Sequence, residues 1–558
     1  SLERKGFLTR QRRSSVEGES EWAFSHMLLR DVAYSQIPRA ERAAKHRAAA
    51  EWIESLGRTE DYAELLAHHW RSALELAEAS GQDTAELVGP AGRSLRDAGS
   101  RAFSVNAFPT AVTYFGDALA LWPEEDAERA QLLYRWADAL YLAADDDALE
   151  TLETARDALL RAGDEQTAAE AELSMSRIWW HRGQREESEQ HTARAAELAG
   201  TTPSPAAARV LATVARALMI AGEPAEGLRT GGQALAMAEA VGNDELRAHA
   251  LSTIGSCKGY LGSDLEGIAD MERALEIAAG IRSPQAGTIL NNLAVQALFQ
   301  LDIRRAAELF DEGLRVAELY GSASDVRWLR GQRAGTPFVL GRWDEFLDLG
   351  GRFIADCEAG SPHYLYYRML GDRGEIRAAR GDLDGALADI RRSLELAREA
   401  GDPQALMPRL GSTVLIFEEH GLGDEARPFA VEMVELVPRY LHEATLAVNF
   451  SFLLSRLAFE FEPALREGLA EAPPGAWKEL AFACLDRDFV RAADMWAAGG
   501  GMTMEARVRL RAAEELIESG RPEEGEEQAR RALEFYRSVT ATYYIERCET
   551  LLQESKTA

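Results

Sequence analysis

Residues 22–34 read WAFSHMLLRDVAY and bring His26, Arg30 and Asp31 together in one short apolar stretch. An imidazole, a guanidinium and a carboxylate at this spacing are the groups of an acid–base or phosphate-binding site. They are equally the polar positions of one helix in a packed domain. Other chemistry-bearing residues are sparse. His68 and His69 stand side by side in ELLAHHW. Neighbouring helix positions point in different directions and cannot share a metal as an i, i+4 pair does, so a packing or surface role is expected. The run AADDD at 143–147 falls on an expected turn between helices, with no further ligands in phase. It reads as a solvated helix cap rather than a cation site. Acidic residues elsewhere are spread over helix faces and give no isolated carboxylate pair. No G-x-x-x-x-G-K-[ST] phosphate loop, G-x-S-x-G, H-E-x-x-H or EF-hand loop occurs. The expectation is a non-enzyme with no catalytic residue, metal site or cofactor of its own.

Composition bounds the class of protein. A chain of 558 residues is too long for one compact core, so several domains or a repeat array are expected. The sequence has no run of about 18 apolar residues, as a membrane span requires. The opening SLERKGFLTRQRR carries charge without a following apolar segment, so no secretory leader is expected. A start at Ser1 reads as a cut from a longer chain. Cys257, Cys357, Cys484 and Cys548 are isolated, which fits small buried apolar residues in a reducing, cytoplasmic compartment. The net charge of −30 argues against direct nucleic-acid binding, which needs a basic surface to displace counterions. Only residues 1–58 differ: they hold 11 Lys+Arg against 8 Asp+Glu, or +3, leaving −33 for the remainder.

The elements that must position any site follow from a repeat. GDLDGALADIRRSLELA from Gly381, GEPAEGLRTGGQALAMA from Gly222 and GSDLEGIADMERALEIA from Gly262 each give a turn residue, a polar lead and a helix. Equivalent starts fall at Asn106, Asp146, Gly183, Gly222, Gly262, Leu301, Gly341, Gly381 and Gly421, 37 to 40 residues apart. Seven residues before each of the first eight starts stands a small residue: Gly99, Ala139, Ser176, Ala215, Gly255, Ala294, Ala334 and Gly374. Small or short residues also fill the columns five after (Ala111, Thr151, Ser188, Gly227, Gly267, Ala306) and twelve after (Ala118, Ala158, Ala195, Ala234, Ala274, Gly313). Two antiparallel helices need such residues where their backbones approach, and stacking the next pair needs another such place. The pattern degrades after Gly421, PPG interrupts it at 473–475, and units near Asp486 and Gly520 close the array. The Gly341 unit departs, with Phe346 and Phe353 where small residues are expected and Pro337 in its first helix. Proline there should bend or end the helix; an altered packing angle and a hinge or ligand notch both remain open.

These columns resemble the tetratricopeptide repeat over about residues 83–555. The resemblance implies an all-α fold, an α-solenoid of roughly ten to twelve helix pairs, preceded by a partial winged-helix or helical segment. Tetratricopeptide phasing places Arg177, Trp180, Arg216, His249, Asn291, Trp328 and Arg368 on the concave face. An Arg- and Trp-bearing groove suits an anionic peptide, a nucleotide-like ligand or an acidic partner helix. The alternative is a wet groove lined by long polar side chains.

The N-terminal segment carries a second resemblance. The pattern F-x-H-x-L-x-R-D-V-A-Y is met by Phe24, His26, Leu28, Arg30, Asp31, Val32, Ala33 and Tyr34, followed by Ile37-Pro38-Arg39. With DYAELLAHHWRSALELAEASG it resembles the join between winged helix and repeats in STAND-class signal-transduction ATPases, closest to actinobacterial members, many fused to a class III adenylate or guanylate cyclase. The resemblance implies a remnant of the winged-helix region at 1–58, a helical linker at 59–105, regular repeats at 106–458 and degenerate, capping repeats at 459–558. By position, His26 would contact the phosphate of bound ADP in the parent protein, where ATP or ADP is the cofactor. The implied partners are a protein or peptide in the groove and the chain's own upstream ATPase and cyclase domains, with no membrane. A solenoid-bearing transcription regulator and a pure assembly scaffold are the rival readings.

Overall fold

The repeat starts identified in the sequence are turns at which the backbone enters the left-handed region. Gly183, Gly222, Gly262, Gly341, Gly381 and Gly421 have φ between +75° and +91°. Asn106 and Leu301 take the same conformation at φ 61° and 60°, where a side chain carries a steric cost. In the Asp146 unit this role falls two residues earlier, to Ala144. Helix starts are set by side chains that accept from the first free backbone N–H groups. Asp164, Ser204, Asn243 and Asp382 each do so. Pro205, Pro224, Pro403 and Pro522 occupy the first turn, where a missing N–H costs nothing.

The computed structural model describes residues 2–11, 14, 20–57, 60–320, 323–439 and 450–555. Among them are 29 α-helices and one two-stranded ribbon. Two compact units are distinguished, Ser1–Ala139 and Leu140–Ala558.

The first unit opens with β1 (Leu8–Arg10) paired antiparallel to β2 (Trp22–Phe24), Thr9 facing Ala23. This ribbon is an exception to the all-helical reading. Then come α1 (Met27–Ser35), α2 (Arg39–Ser55), α3 (Ala63–Glu78), α4 (Ala85–Ser104) and α5 (Phe108–Leu121). Helix α6 (Arg129–Leu142) runs through the division between units. Helices α2, α3 and α4 bury Ala43, Ala50, Ile53, Leu66, Trp70 and Leu74 in one cluster. Helix α1 buries none of its residues, and Met27, Leu28 and Val32 are exposed.

The second unit continues with α7 (Ala148–Ala162) and then antiparallel pairs. These are α8 (Glu165–His181) with α9 (Arg185–Ala199), and α10 (Pro205–Ile220) with α11 (Pro224–Ala240). Next are α12 (Asp244–Tyr260) with α13 (Asp264–Gly280), and α14 (Gln285–Phe299) with α15 (Ile303–Tyr320). They are followed by α16 (Ala323–Val339) with α17 (Trp343–Glu358), α18 (Tyr366–Ala379) with α19 (Leu383–Glu399), and α20 (Pro403–Glu419) with α21 (Gly423–Leu436). Short helices α22 (Phe450–Leu454), α23 (Arg456–Glu460) and α24 (Glu462–Ala470) mark where the repeat degrades. Pairing resumes with α25 (Ala476–Leu485) and α26 (Phe489–Gly499), then α27 (Met502–Glu518) and α28 (Pro522–Ser538), before α29 (Thr542–Glu554). The fold is an all-α solenoid of tetratricopeptide-like helix pairs.

The small-residue columns lie where expected. A Cβ on Gly255 would sit 2.5 Å from the Gly267 carbonyl oxygen, and one on Gly227 would sit 2.7 Å from that of Ala215. At the corresponding place Ser176 donates to the Ser188 carbonyl at 2.9 Å.

In the Gly341 unit the size relationship is reversed. Phe346 and Phe353 are buried, and the space for them comes from the opposite helix. A Cβ on Gly331 would meet the Phe353 ring at 3.0 Å. Pro337 lies two residues before the end of α16, so it ends the helix rather than bending it. Gly341 then packs against Phe535 and Met502, and the Trp343 indole N–H donates to Thr503 Oγ1 at 2.9 Å. The irregular unit is therefore where the middle repeats meet the C-terminal ones.

That meeting is one of several. Trp477 Nε1 donates to the Leu298 carbonyl at 2.9 Å, Gln404 Nε2 to Tyr260 Oη at 2.6 Å, and Tyr544 Oη to Glu419 Oε2 at 2.6 Å. Each joins residues more than 120 positions apart. The second unit winds tightly enough for later repeats to cover the inner face of earlier ones.

Candidate functional site

The covered inner face encloses a cavity of about 390 Å³ within the second unit. First helices of successive pairs supply its wall: Trp180 on α8, Arg216 and Met219 on α10, Tyr260 on α12, Asn291 and Gln296 on α14, Trp328 on α16, and Arg368, Asp372 and Glu375 on α18. Side chains at positions three and four apart share one helix face, which is why one phase of the repeat fills one wall. The C-terminal repeats close the opposite side with Phe450, Trp477, Trp496 and Met504.

Of the residues read from tetratricopeptide phasing, Trp180, Arg216, Asn291, Trp328 and Arg368 line the cavity. Arg177 and His249 do not. Arg177 sits 5.9 Å over the Tyr141 ring and 3.9 Å from Asp325. Both nevertheless bear on Arg216 or are affected by it. Burial, followed by Arg177, pulls the Arg216 guanidinium down to about 10. Burial, followed by Arg177, Arg209 and Arg216, pulls His249 down to about 3. Arg177 on α8 and Arg209 and Arg216 on α10 thus make this side of the inner face positive and hold His249 on α12 neutral.

Arg216 is the odd member of that wall. Its guanidinium lies 5.7 Å from the Trp180 ring centroid, and among the described residues it makes no hydrogen bond or ion pair. Two neighbours are also unsatisfied among the described residues: the Trp180 indole N–H and Gln296 Oε1 are buried without hydrogen-bond partners. The facing wall on α18 is self-neutralised. Asp372 pairs with Arg409 at 3.3 Å and Arg368 at 3.7 Å, and Glu375 pairs with Arg507 at 2.7 Å.

Sequence phasing missed one structural contributor, the link 359–365 between α17 and α18. Its Tyr364 backbone N–H donates to the His181 carbonyl at 2.7 Å, and its hydroxyl donates to Asp402 Oδ2 at 2.6 Å. The Tyr364 ring stacks on Trp180 at 5.4 Å and on Trp328 at 5.8 Å. Burial, followed by Asp402, raises the Tyr364 hydroxyl well above the ordinary phenol range. The aromatic run HYLYY at 363–367 was the available signal, but nothing in it indicates a partner 180 residues away.

The remaining sequence candidates fall elsewhere. His26 is exposed at the N-cap position of α1 and its side chain makes no capping bond. Arg30 pairs with its neighbour Asp31 at 2.8 Å. Asp145 Oδ1 accepts from the Asp147 backbone N–H at 3.0 Å, while Asp147, at the N-cap of α7, makes no side-chain capping bond. The four cysteines are free and buried, and burial pushes Cys257 and Cys548 up to about 12 and Cys357 to about 11. His68 and His69 on α3 are joined by His46 on α2, and one nitrogen of each ring lies within 4.8 Å of those of the other two.

No protein-family model matches this sequence, and no match is found among curated proteins. Similarity is found to solved structures. A Rap protein complexed with competence and sporulation factor is 15% identical, at a TM-score of 0.42, over 64% of this chain and 99% of its own. Aspartyl phosphate phosphatase F from Bacillus subtilis is 15% identical, at a TM-score of 0.34, over 64% of this chain and 93% of its own. A signal-transduction ATPase with numerous domains and a tetratricopeptide repeat sensor, from Pyrococcus horikoshii, is 13% identical, at a TM-score of 0.30, over 70% of this chain and 56% of its own.

Proposed function

We propose that this chain is a non-catalytic sensor and protein-interaction region, and that the cavity of the second unit holds a protein or peptide segment presenting a carboxylate. The observation that carries this reading is Arg216. The Arg216 side chain is partly buried, burial pulls its guanidinium down and Asp325 offsets this only in part, so an entering carboxylate gains a charge-assisted, bidentate contact. Trp180 offers the same segment a flat apolar face beside the guanidinium. A volume of about 390 Å³ lies in the range of sites that enclose a small ligand, so the occupant is a short segment rather than a folded domain. The acidic residues that line the cavity, Asp372 and Glu375, are already paired with Arg409 and Arg507.

In this reading residues 1–58 are the remnant of a winged-helix region, and helices at 22–80 carry the binding signal to upstream ATPase and adenylate or guanylate cyclase domains of a cytoplasmic parent protein. ATP or ADP binds there, with His26 contacting the nucleotide phosphate. That part rests on the resemblance of residues 24–39. The exposed apolar side chains of α1 suit a helix that docks on a neighbouring domain.

The test is binding of short acidic peptides with a free C-terminal carboxylate, compared with their C-terminal amides, followed by fluorescence of the cavity tryptophans. The free acids are expected to bind in preference to the amides. Arg216→Gln, alone or with Arg177→Ala, is expected to weaken binding at least about tenfold. Equal binding of acid and amide, or unchanged binding by Arg216→Gln, overturns the reading.

A further inference from the structure

The first unit holds a histidine cluster that the ligand reading does not use. Packing of α2 on α3 through Ala43, Ala50 and Ile53 against Leu66 and Trp70 fixes the distance between the two helices. His46 on α2 then lies with its ring centroid 5.1 Å from that of His69 and 5.7 Å from that of His68. The rings of His68 and His69 are themselves 5.2 Å apart. Nδ1 of His46 and Nδ1 of His69 are separated by 2.9 Å.

We propose that His46, His68 and His69 form a binding site for a divalent transition-metal ion of the zinc class. Three observations converge on it. First, each ring offers one nitrogen within 4.8 Å of those of the other two. Tetrahedral ligands at Zn–N distances of 2.0–2.1 Å are about 3.3 Å apart, so the His46–His69 contact opens by about 0.4 Å and His68 swings inward. Second, the other nitrogen of His46 is engaged: Nε2 is hydrogen-bonded to the Tyr34 hydroxyl at 2.7 Å. That bond directs Nδ1 at the two facing rings, as outer-shell partners of metal-bound histidines do. Third, the donors are all imidazoles, which suit zinc, copper, cobalt and nickel and not magnesium or calcium.

The opposing charge is Arg42, whose guanidinium lies 4.8 Å over the Tyr34 ring. His68 is exposed, so a fourth position is left for water. A bound ion would clamp α2 to α3 and, through Tyr34, hold α1 against them.

The experiment is equilibrium titration of the full chain with Zn²⁺, with Co²⁺ as a visible-absorption probe of ligand geometry and Mg²⁺ as a control. One ion per chain is expected, with a tetrahedral or five-coordinate cobalt spectrum and no Mg²⁺ uptake. His46→Ala, His69→Ala and His68→Ala should each weaken binding at least tenfold, and Tyr34→Phe by about tenfold as an outer-shell change. Far-UV circular dichroism checks folding, and His68→Ala, on the exposed ring, decides if the variants of the half-buried His46 and His69 unfold. Absence of stoichiometric zinc uptake, or uptake unchanged by His68→Ala, overturns the site.

Discussion

Replacing Glu375 by alanine should break the join between the middle and C-terminal repeats. Glu375 on α18 and Arg507 on α27 are 2% and 5% exposed, and Oε2 lies 2.7 Å from Nη1. The contact is an ion pair rather than an aligned hydrogen bond, since Nε, Nη1 and Nη2 of Arg507 are buried without a hydrogen-bond partner among the described residues. Burial disfavours the Arg507 charge, and Glu375 is the first-ranked group holding it. Removing one partner of such a pair leaves an uncompensated buried charge, at a cost of about 3–5 kcal/mol. Glu419, the next carboxylate acting on Arg507, moderates this toward about 3 kcal/mol. Replacing both residues, as Glu375→Leu with Arg507→Met, removes the desolvation cost together with the attraction, and should leave stability within about 1 kcal/mol of wild type or raise it. Urea unfolding read by tryptophan fluorescence gives the three midpoints, and an unchanged slope confirms that stability rather than compactness has moved. A single variant within about 0.5 kcal/mol of wild type, or a double variant less stable than the single one, refutes the reasoning.

Gly255→Ala should destabilise the α12–α13 crossing by about 1–3 kcal/mol, because its Cβ would lie 2.5 Å from the Gly267 carbonyl and 2.7 Å from Met271 Cγ; thermal unfolding measures this. Stability should fall as pH drops from about 6.5 toward 3, because burial, followed by Arg327, lowers His363 to about 3 and the unfolded chain takes up a proton that the folded one refuses. The slope is about 1.4 kcal/mol per pH unit for this residue, or about 2 kcal/mol lost by pH 5, and His363→Asn should remove that share in an acid-unfolding series. Nδ1 also accepts from the Leu365 backbone N–H at 3.1 Å, a role open only to the unprotonated nitrogen.

Much of the solenoid could be read from the sequence because its determinants are local. A left-handed turn every 37 to 40 residues and three columns of small side chains specify two helices and their crossing without reference to distant parts of the chain. Phasing carried over to the inner face for the same reason, which is why Trp180, Arg216, Asn291, Trp328 and Arg368 all line the cavity. What covers that wall was not legible. Contacts such as Trp477 with Leu298, and Trp343 with Thr503, depend on the small rotation between successive pairs, summed over several repeats. No residue spacing encodes that sum. The histidine cluster escaped for a related reason. His68 and His69 share one helix in the sequence, whereas His46 stands 22 positions before His68 and is delivered by helix packing.

Closure of the inner face also bears on how a sensor of this kind could transmit binding. In an open groove a ligand touches a few repeats and the remainder need not respond. Here the wall around Arg216 is tied to the far side of the cavity by Tyr364, whose ring stacks on Trp180 and whose hydroxyl holds Asp402 at the start of α20. Gln404, two residues further on, reaches back to Tyr260 on α12. On the proposed reading, a carboxylate drawn to Arg216 would act on Trp180, Tyr364 and Asp402 in sequence, and a ligand that prefers one arrangement of these packed contacts would shift more than a single helix. Tyr364→Phe separates the two roles. It leaves the stacked ring in place and removes the hydroxyl from Asp402, so peptide affinity should hold within about threefold while Asp402 loses its buried donor, at about 1–3 kcal/mol of stability. Loss of affinity equal to that of Arg216→Gln would mean that the hydroxyl serves the ligand directly and that the chain of contacts is not the route.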